Sequence, residues 1–428
     1  MTALARPQTA PIPTRAARTG RASMAKWVLL LGSMAALGAL TTDMYLPSLP
    51  EVATELGTGM SAVQFTITGT LIGGAVGQLV IGPLSDRYGR RAPVFAGLVL
   101  HIVASLLCLL AYSVVPLIAL RMLQGVGNAA AGVVAIAVIR DRMTGSDASA
   151  LLSRLMLVIG VAPLLAPTIG SALAHLWGWR SVFVALAVLG AGLFVIVWRF
   201  LPETLPAERR LRSTRGVMRS YRVLAADGRF MAYALLPGLT MAALFAYVAG
   251  SPFVLRDGYG LSSGEFAMLF AINGAGLVLG AQLNAALVRR FAPIRIIRIA
   301  MPFAVICALV LTATALTGAG GLLGLLLPLF FVLFFGSFIP PNASAIALGR
   351  HGERAGAAAA FIGALQAGIA GVIAPIVGVL GGNATAMAIV MLAAVAVSLG
   401  VIAFGARAYR RGGWEATVEP DTLQDRRA

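Results

Sequence analysis

The chain has 428 residues, of which 59% are hydrophobic and 11% charged, against roughly 25% charged in a soluble domain. That composition cannot furnish a water-facing surface, and the 49 glycines suit membrane helices, whose backbones approach closely at small residues. The formal charge of +17 does not point to nucleic acid: of the 33 basic residues, only Arg180 and Arg256 fall in loops placed outside, which is the positive-inside distribution.

Residues 1–25 carry Arg6, Arg15, Arg18 and Arg21 without an acid and precede a full-length apolar run, so they are expected to form an uncleaved cytoplasmic tail. A bilayer span takes about 20 apolar residues. On that criterion spans fall near 26–48, 62–84, 92–112, 116–139, 149–174 and 180–201. A basic linker follows at 202–229, with ten charged residues, and then six more spans near 230–252, 264–287, 294–317, 321–346, 355–381 and 384–407. A second cytoplasmic tail, 408–428, ends the chain. Stretches such as Leu98 to Leu110 are apolar on every face, which excludes the alternating strands of a β-barrel. The expectation is an all-α membrane protein with about 12 transmembrane helices in two six-helix bundles, 26–201 and 230–407. It should sit as a multi-pass monomer among lipids in a bacterial inner membrane, with both termini cytoplasmic.

The two halves share a weak repeat. Gly160, Ala166, Pro167 and Gly170 recur 208 residues on as Gly368, Ala374, Pro375 and Gly378, and Ala135-Ile136-Ala137 recurs as Ala345-Ile346-Ala347. Parallel six-helix halves around a central site are one established transporter arrangement.

Charges within spans are the strongest pointers to function, because each costs at least about 2.5 to 3.5 kcal/mol at the bilayer centre. Two stand out, Asp43 in span one and Arg121 in span four. Each lies about five residues from the outer end of its span, so both sit about 8 Å below the outer surface and can interact. Burial and a nearby guanidinium act in opposite senses on an acid, so Asp43 can be made to bind and release a proton; a static ion pair, or a helix cap before Pro47, is the simpler alternative. The loop after span two reads Gly82-Pro83-Leu84-Ser85-Asp86-Arg87-Tyr88-Gly89-Arg90-Arg91. Gly82 and Gly89 allow a tight reversal, Asp86 suits the start of the next helix, and Arg87, Arg90 and Arg91 hold the loop inside and can pair with acids of neighbouring helices.

With Leu84, Asp86, Arg87, Gly89, Arg90 and Arg91 in place, that loop resembles the GxLaDrxGrr signature of the major facilitator superfamily, and the resemblance implies a cytoplasmic gate latch. Leu287 to Arg290 keeps only a worn second copy. Thr42-Asp43-Met44-Tyr45-Leu46-Pro47-Ser48-Leu49-Pro50 is similar to the most distinctive stretch of the Bcr/CflA group among the twelve-span drug:proton antiporters. Arg121-Met122-Leu123-Gln124-Gly125 resembles the RxxQG motif, which implies proton coupling through Arg121. Gly160, Pro163, Pro167 and Gly170 resemble the antiporter helix motif ending in GPxxGG, with Ala166 and Ser171 replacing two glycines; the small residues and a proline that frees carbonyls still suit a pliable helix. Pro202-Glu203-Thr204 occurs at this place in the same group and in sugar porters.

By the repeat, spans one, four, seven and ten line the cavity and offer Tyr45, Gln124, Asn128, Phe245, Tyr247 and Asn342. With no second buried acid to attract a strong cation, the implied function is proton-coupled efflux of small neutral or weakly polar compounds, chloramphenicol-like, by alternating access. A proton-coupled symporter importing a small metabolite on the same fold is the alternative. An enzyme is not expected, since His101, His175 and His351 are scattered, and neither is a receptor, since no hydrophilic segment exceeds about thirty residues. Neither a cofactor nor a metal is expected: Cys108 and Cys307 lie in apolar stretches of opposite halves, which also argues against a disulfide.

Overall fold

In the computed structural model, which describes residues 21–143, 151, 154–155, 165–210, 215–351 and 354–405, the first apolar run is a broken helix. It forms α1 (Arg21–Asp43), unwinds at Met44 and Tyr45, makes a 3-10 turn at Leu46–Ser48 and ends in α2 (Leu49–Glu55). Pro47 and Pro50 account for the break. Neither has an N–H, so the carbonyls four residues earlier, Asp43 and Leu46, lose their helical donors.

The first half continues with α3 (Met60–Tyr88), α4 (Arg91–Cys108), α5 (Val114–Arg142), α6 at 165–177 and α7 (Arg180–Phe200). In the linker lies α8 (Arg215–Ala226). The second half comprises α9 (Gly228–Ser251), which widens into a π-helical turn at Pro252–Gly258, then α10 (Ser263–Leu287), α11 (Pro293–Thr317), α12 (Gly321–Gly336), α13 (Ile339–Gly349), α14 (Ala355–Ile373), α15 (Ile376–Val379) and α16 (Ala384–Gly400). Eleven helical runs among the described residues are long and apolar enough to cross a bilayer. The expected fifth span falls partly outside the described residues, with its remainder helical in α6. Other spans reach further than expected, 62–84 becoming Met60–Tyr88 and 116–139 becoming Val114–Arg142, because arginines at helix ends can keep their stems along the helix and their heads in water.

Gly82 does not make the expected reversal. The helix α3 runs through Gly82 and Pro83 to Tyr88, and the turn is left to Gly89 and Arg90. Pro83 frees the Leu79 carbonyl, and the Tyr221 hydroxyl of α8 donates to it at 3.2 Å, so the helix survives its proline.

The first half is built around α5, which packs on α3, α4 and α1. Close approach explains the contact with α3: a Cβ on Gly73 would meet the Met122 carbonyl oxygen at 2.0 Å, and one on Gly125 would meet the Thr70 carbonyl oxygen at 2.0 Å. In the second half α9 packs on α13, α14 and α16. The halves meet most extensively where α3 lies antiparallel against α14. One end of the bundle, the linker face, carries Gly89, Arg90 and α8; Glu55, Gly178 and Gly258 lie at the opposite face.

Candidate functional site

The break in the first span delivers Asp43, 7% exposed, and Tyr45, fully buried, to the interior of the first half. Arg121, on α5, is also fully buried. Its Nη1 donates to the Thr41 carbonyl at 3.1 Å and to Gln124 Oε1 at 2.6 Å, and its guanidinium lies 4.8 Å from the Tyr45 ring centre and 5.7 Å from that of Phe183, within cation–π range. Its Nε and Nη2 make no hydrogen bond. Those two groups form one edge of the guanidinium, the edge that takes a carboxylate two-handed.

Among the described residues no ion pair joins Arg121 to Asp43, although the two lie at matching depth. Arg121 reaches Thr41, and Asp43 stands two residues on, about 200° round the helix. The expected mutual contact is therefore not made in this conformation.

Sequence reasoning missed most of the surrounding polar network. Gln124 Nε2 donates to Ser105 Oγ at 2.7 Å, and Ser105 Oγ donates to the His101 carbonyl at 2.7 Å. The His101 Nε2 lies 3.1 Å from the Leu186 carbonyl oxygen; a carbonyl only accepts, so Nε2 carries the proton. Asn128 faces the His101 ring without a well-formed bond, leaving Asn128 Nδ2 and His101 Nδ1 unsatisfied. The one signal for His101 was its place inside an apolar run.

The proposed cavity residues divide. Tyr45, Gln124 and Asn128 gather around Arg121 and Thr41. Phe245, Tyr247 and Asn342 take no part in that network: Tyr247 stacks on Phe270 at 5.2 Å with its hydroxyl unbonded, Asn342 donates to Asn284 Oδ1 at 2.6 Å, and Phe245 is half-buried. An apolar cavity in the second half, between Thr240, Met301 and Ser337, holds about 50 Å³, too little for a drug-sized ligand. A polar cavity of about 250 Å³ lies beside the broken span, lined by Pro47, Glu51, Ser171, Ala174, His175 and Arg256.

The antiporter-helix residues Gly160 and Pro163 lie outside the described residues. Pro167 is buried in α6, and Gly170 packs against the break itself: a Cβ there would stand 1.9 Å from the Met44 carbonyl oxygen.

At the linker face Arg90 is the hub. It donates to Asp86 Oδ1 at 2.5 Å, to Ser85 Oγ at 2.6 Å and, two-handed, to Asp141 at 2.7 and 3.2 Å. Burial works against its charge, but the bonds to Asp141 and Asp86 outweigh it and raise the guanidinium pKa. Thr204 Oγ1 donates to Asp141 at 2.9 Å, and Glu203 accepts from the backbone N–H of Arg90 at 2.9 Å and of Arg91 at 3.3 Å, where a carboxylate complements the start of α4. Burial pushes the Glu203 carboxyl up, yet these N–H groups, that of Leu205 and the Arg210 charge together hold it below its ordinary value. Gly89 has φ +91°, and a Cβ on it would meet Glu203 Oε2 at 2.5 Å. Arg91 bonds the Trp198 carbonyl at 3.1 Å. Arg87 is apart from the cluster, lying over the Tyr88 ring. Asp141, Glu203 and Thr204 were thus missed as partners, although Pro202-Glu203-Thr204 was visible and Asp141 is a lone acid between Arg140 and Arg142.

Comparison with known proteins agrees with this architecture. Residues 31–375 match the profile of the Major Facilitator Superfamily. The chain is 36% identical over 392 residues to YdgK of Bacillus subtilis, described as an uncharacterized MFS-type transporter, covering 90% of this chain and 96% of that one. It is 31% identical over 318 residues to a chloramphenicol resistance protein of Pseudomonas aeruginosa, covering 73% and 74%, and 28% identical over 352 residues to a bicyclomycin resistance protein homolog of Haemophilus influenzae, covering 82% and 88%. In shape it is similar to the xylose transporter XylE of E. coli in a partially occluded inward-open conformation, with a TM-score of 0.70 at 16% identity over 89% of this chain and 97% of that one.

Proposed function

The chain belongs to the major facilitator superfamily, in its Bcr/CflA-like group of multi-pass membrane transporters, and we propose that it exports small neutral or weakly polar compounds of the chloramphenicol type in exchange for protons. It is a transporter and not an enzyme. The relatives named for bicyclomycin and chloramphenicol resistance support drug efflux as the activity. In this reading the protein works as a monomer in the inner membrane, with the basic linker face and both termini in the cytoplasm.

The observation that carries proton coupling is the buried edge of Arg121. A fully buried guanidinium with Nε and Nη2 unbonded is costly, and its geometry suits a carboxylate. Asp43 is the acid at that depth, held on a broken span that can reorient. When the halves rock, Asp43 swings to that edge and gives up its proton; when it swings away, toward the cavity between Pro47 and Ser171 on the outer side, it takes one from outside. Tyr45 and Gln124 hold Arg121 and with Asn128 face the substrate path, with Phe245, Tyr247 and Asn342 opposite in the second half. Asp86, Gly89, Arg90 and Arg91 with Asp141 and Glu203 latch the cytoplasmic side, and the helix bearing Pro167 and Gly170 backs the moving break. One acid implies one proton per cycle. A charge crossing 100 mV is worth about 2.3 kcal/mol, and about 1.4 kcal/mol is tenfold, so one proton per neutral drug sustains roughly a fifty-fold gradient.

The test is proton release from acidified inverted vesicles on adding neutral and cationic antibiotics, with wild type and Asp43→Asn compared. Release in wild type alone is expected. Equal release from both would remove Asp43 from the coupling, and silence to every drug would shift the reading to metabolite symport.

A further inference from the structure

The face opposite the linker, outer in the orientation proposed above, is bridged by hydrogen bonds between side chains of one half and backbone groups of the other. Gln64, fully buried on α3, donates through Nε2 to the Ala249 carbonyl at 2.9 Å and accepts through Oε1 from the Gly378 N–H at 2.9 Å. One side chain of the first half therefore holds two helices of the second. One turn further along the same face of α3, Thr68 Oγ1 donates to the Gly371 carbonyl at 2.7 Å. From the second half, Arg256 Nη1 donates to the Pro47 carbonyl at 2.6 Å.

These partners are backbone groups, and proline explains why several are available. Pro375 has no N–H, so the Gly371 carbonyl four residues earlier has no helical donor. The helix restarts as α15, whose first-turn N–H groups, Gly378 among them, have no carbonyl behind them. Ala249 lies just before the π-helical widening at Pro252–Gly258. Space is fitted to the contact as well: a Cβ on Gly378 would meet Gln64 Oε1 at 2.4 Å and the Ser61 backbone at 2.9 Å. A membrane helix must satisfy broken backbone groups within the protein, and here the Gly371 carbonyl and the Gly378 N–H find their partners across the boundary between the halves.

We propose that Gln64 and Thr68 are the bolt of the outer gate, closing it by bonding the proline-broken backbone of the eleventh span and the end of the seventh. The bolt must be drawn on every cycle. Opening then exposes Gly371, Gly378 and Ala249 to water, which can bond them in place of Gln64 and Thr68. The break in the eleventh span serves closure between halves, whereas its repeat counterpart around Gly170 packs within one half. The inference rests on alternating access but not on any drug or proton.

The test uses full-length protein in right-side-out vesicles, with Cys307→Ala, Ser48→Cys as reporter and native Cys108 as control. Ser48 and Cys108 are both buried, 1% and 0% exposed; the first lies beside the gate and the second within the first bundle. With a membrane-impermeant maleimide, Gln64→Leu is expected to label Ser48→Cys roughly tenfold faster and Thr68→Val about threefold faster, Cys108 staying unlabelled. Unchanged labelling in either variant with Cys108 protected would overturn the proposal. Should Gln64→Leu expose Cys108, the decision passes to Thr68→Val, which removes one hydroxyl at nearly constant volume. Because labelling needs no transported compound, a protein that exports none of the drugs tried can still pass or fail.

Discussion

Replacing Gly170 by alanine tests how closely the sixth helical segment must fit the broken span. The new methyl carbon would stand 1.9 Å from the Met44 carbonyl oxygen, 2.6 Å from its carbon and 2.8 Å from its Cα. All three are backbone atoms, so no side chain can rotate out of the way. Real Cβ contacts stay beyond 3.0 Å, and the break must shift by about 1 Å, carrying the neighbouring Asp43 with it. Overpacking of this kind costs about 1 to 3 kcal/mol, and about 1 Å of misplacement in a reacting group can cost roughly 100-fold in rate. Drug-driven proton release in inverted vesicles, normalised to protein in the membrane, should fall at least tenfold. Gly132→Ala is the control, since nothing lies within 4 Å of the added atom, and it should match wild type. Exchange by Gly170→Ala within twofold of wild type would refute the idea that this contact sets the position of Asp43.

Arg121→Lys keeps the charge but cannot reach Thr41 and Gln124 while offering a two-handed edge; exchange in the same vesicle assay should fall more than tenfold with the protein still folded. Asp141→Asn leaves the buried Arg90 guanidinium with Asp86 as its one ion-pair partner among the described residues and should destabilise the detergent-solubilised protein by about 2 kcal/mol in thermal melts. The folded-state pKa of Glu203 is depressed, so its stabilisation is present above the ordinary carboxyl value and is lost as pH falls through the folded value. Glu203→Gln should therefore melt below wild type at neutral pH, and the difference should close in acid, below pH 4.5; a gap constant with pH would contradict the assignment.

The class of fold was readable because apolar runs of about 20 residues and the asymmetric arginines leave few alternatives. Asp43 and Arg121 stood out as lone charges in such runs. Their missing contact was not readable, since it depends on which side of the first helix Arg121 meets. The reversal at Gly82 failed for a similar reason: Pro83 ordinarily argues for a helix end, but its cost is met by Tyr221, 142 residues beyond the Leu79 carbonyl that it bonds. The missed acidic partners of Arg90, Asp141 and Glu203, are likewise 51 and 113 residues distant. Gln64 and Thr68 read as ordinary polar residues in an apolar run, and only the neighbouring helix reveals that they meet backbone freed by Pro375.

The bonds of Arg121 also bear on how the chain is assembled. Its acceptors are the Thr41 carbonyl on α1 and Gln124 on α5 itself, so by the time the ribosome has delivered α5 the first is already in the membrane and the second arrives with it. The guanidinium can pass from the insertion machinery directly to acceptors and never face lipid unpartnered. Gln64 and Thr68 wait far longer, their partners lying 185, 314 and 303 residues further along. The first half can therefore mature during synthesis, whereas the contact between halves is made last. A chain that stalls before the eleventh span would leave the Gln64 amide oxygen and the Thr68 hydroxyl in the bilayer without their partners, a mark by which quality-control proteases can tell an unfinished transporter from a complete one.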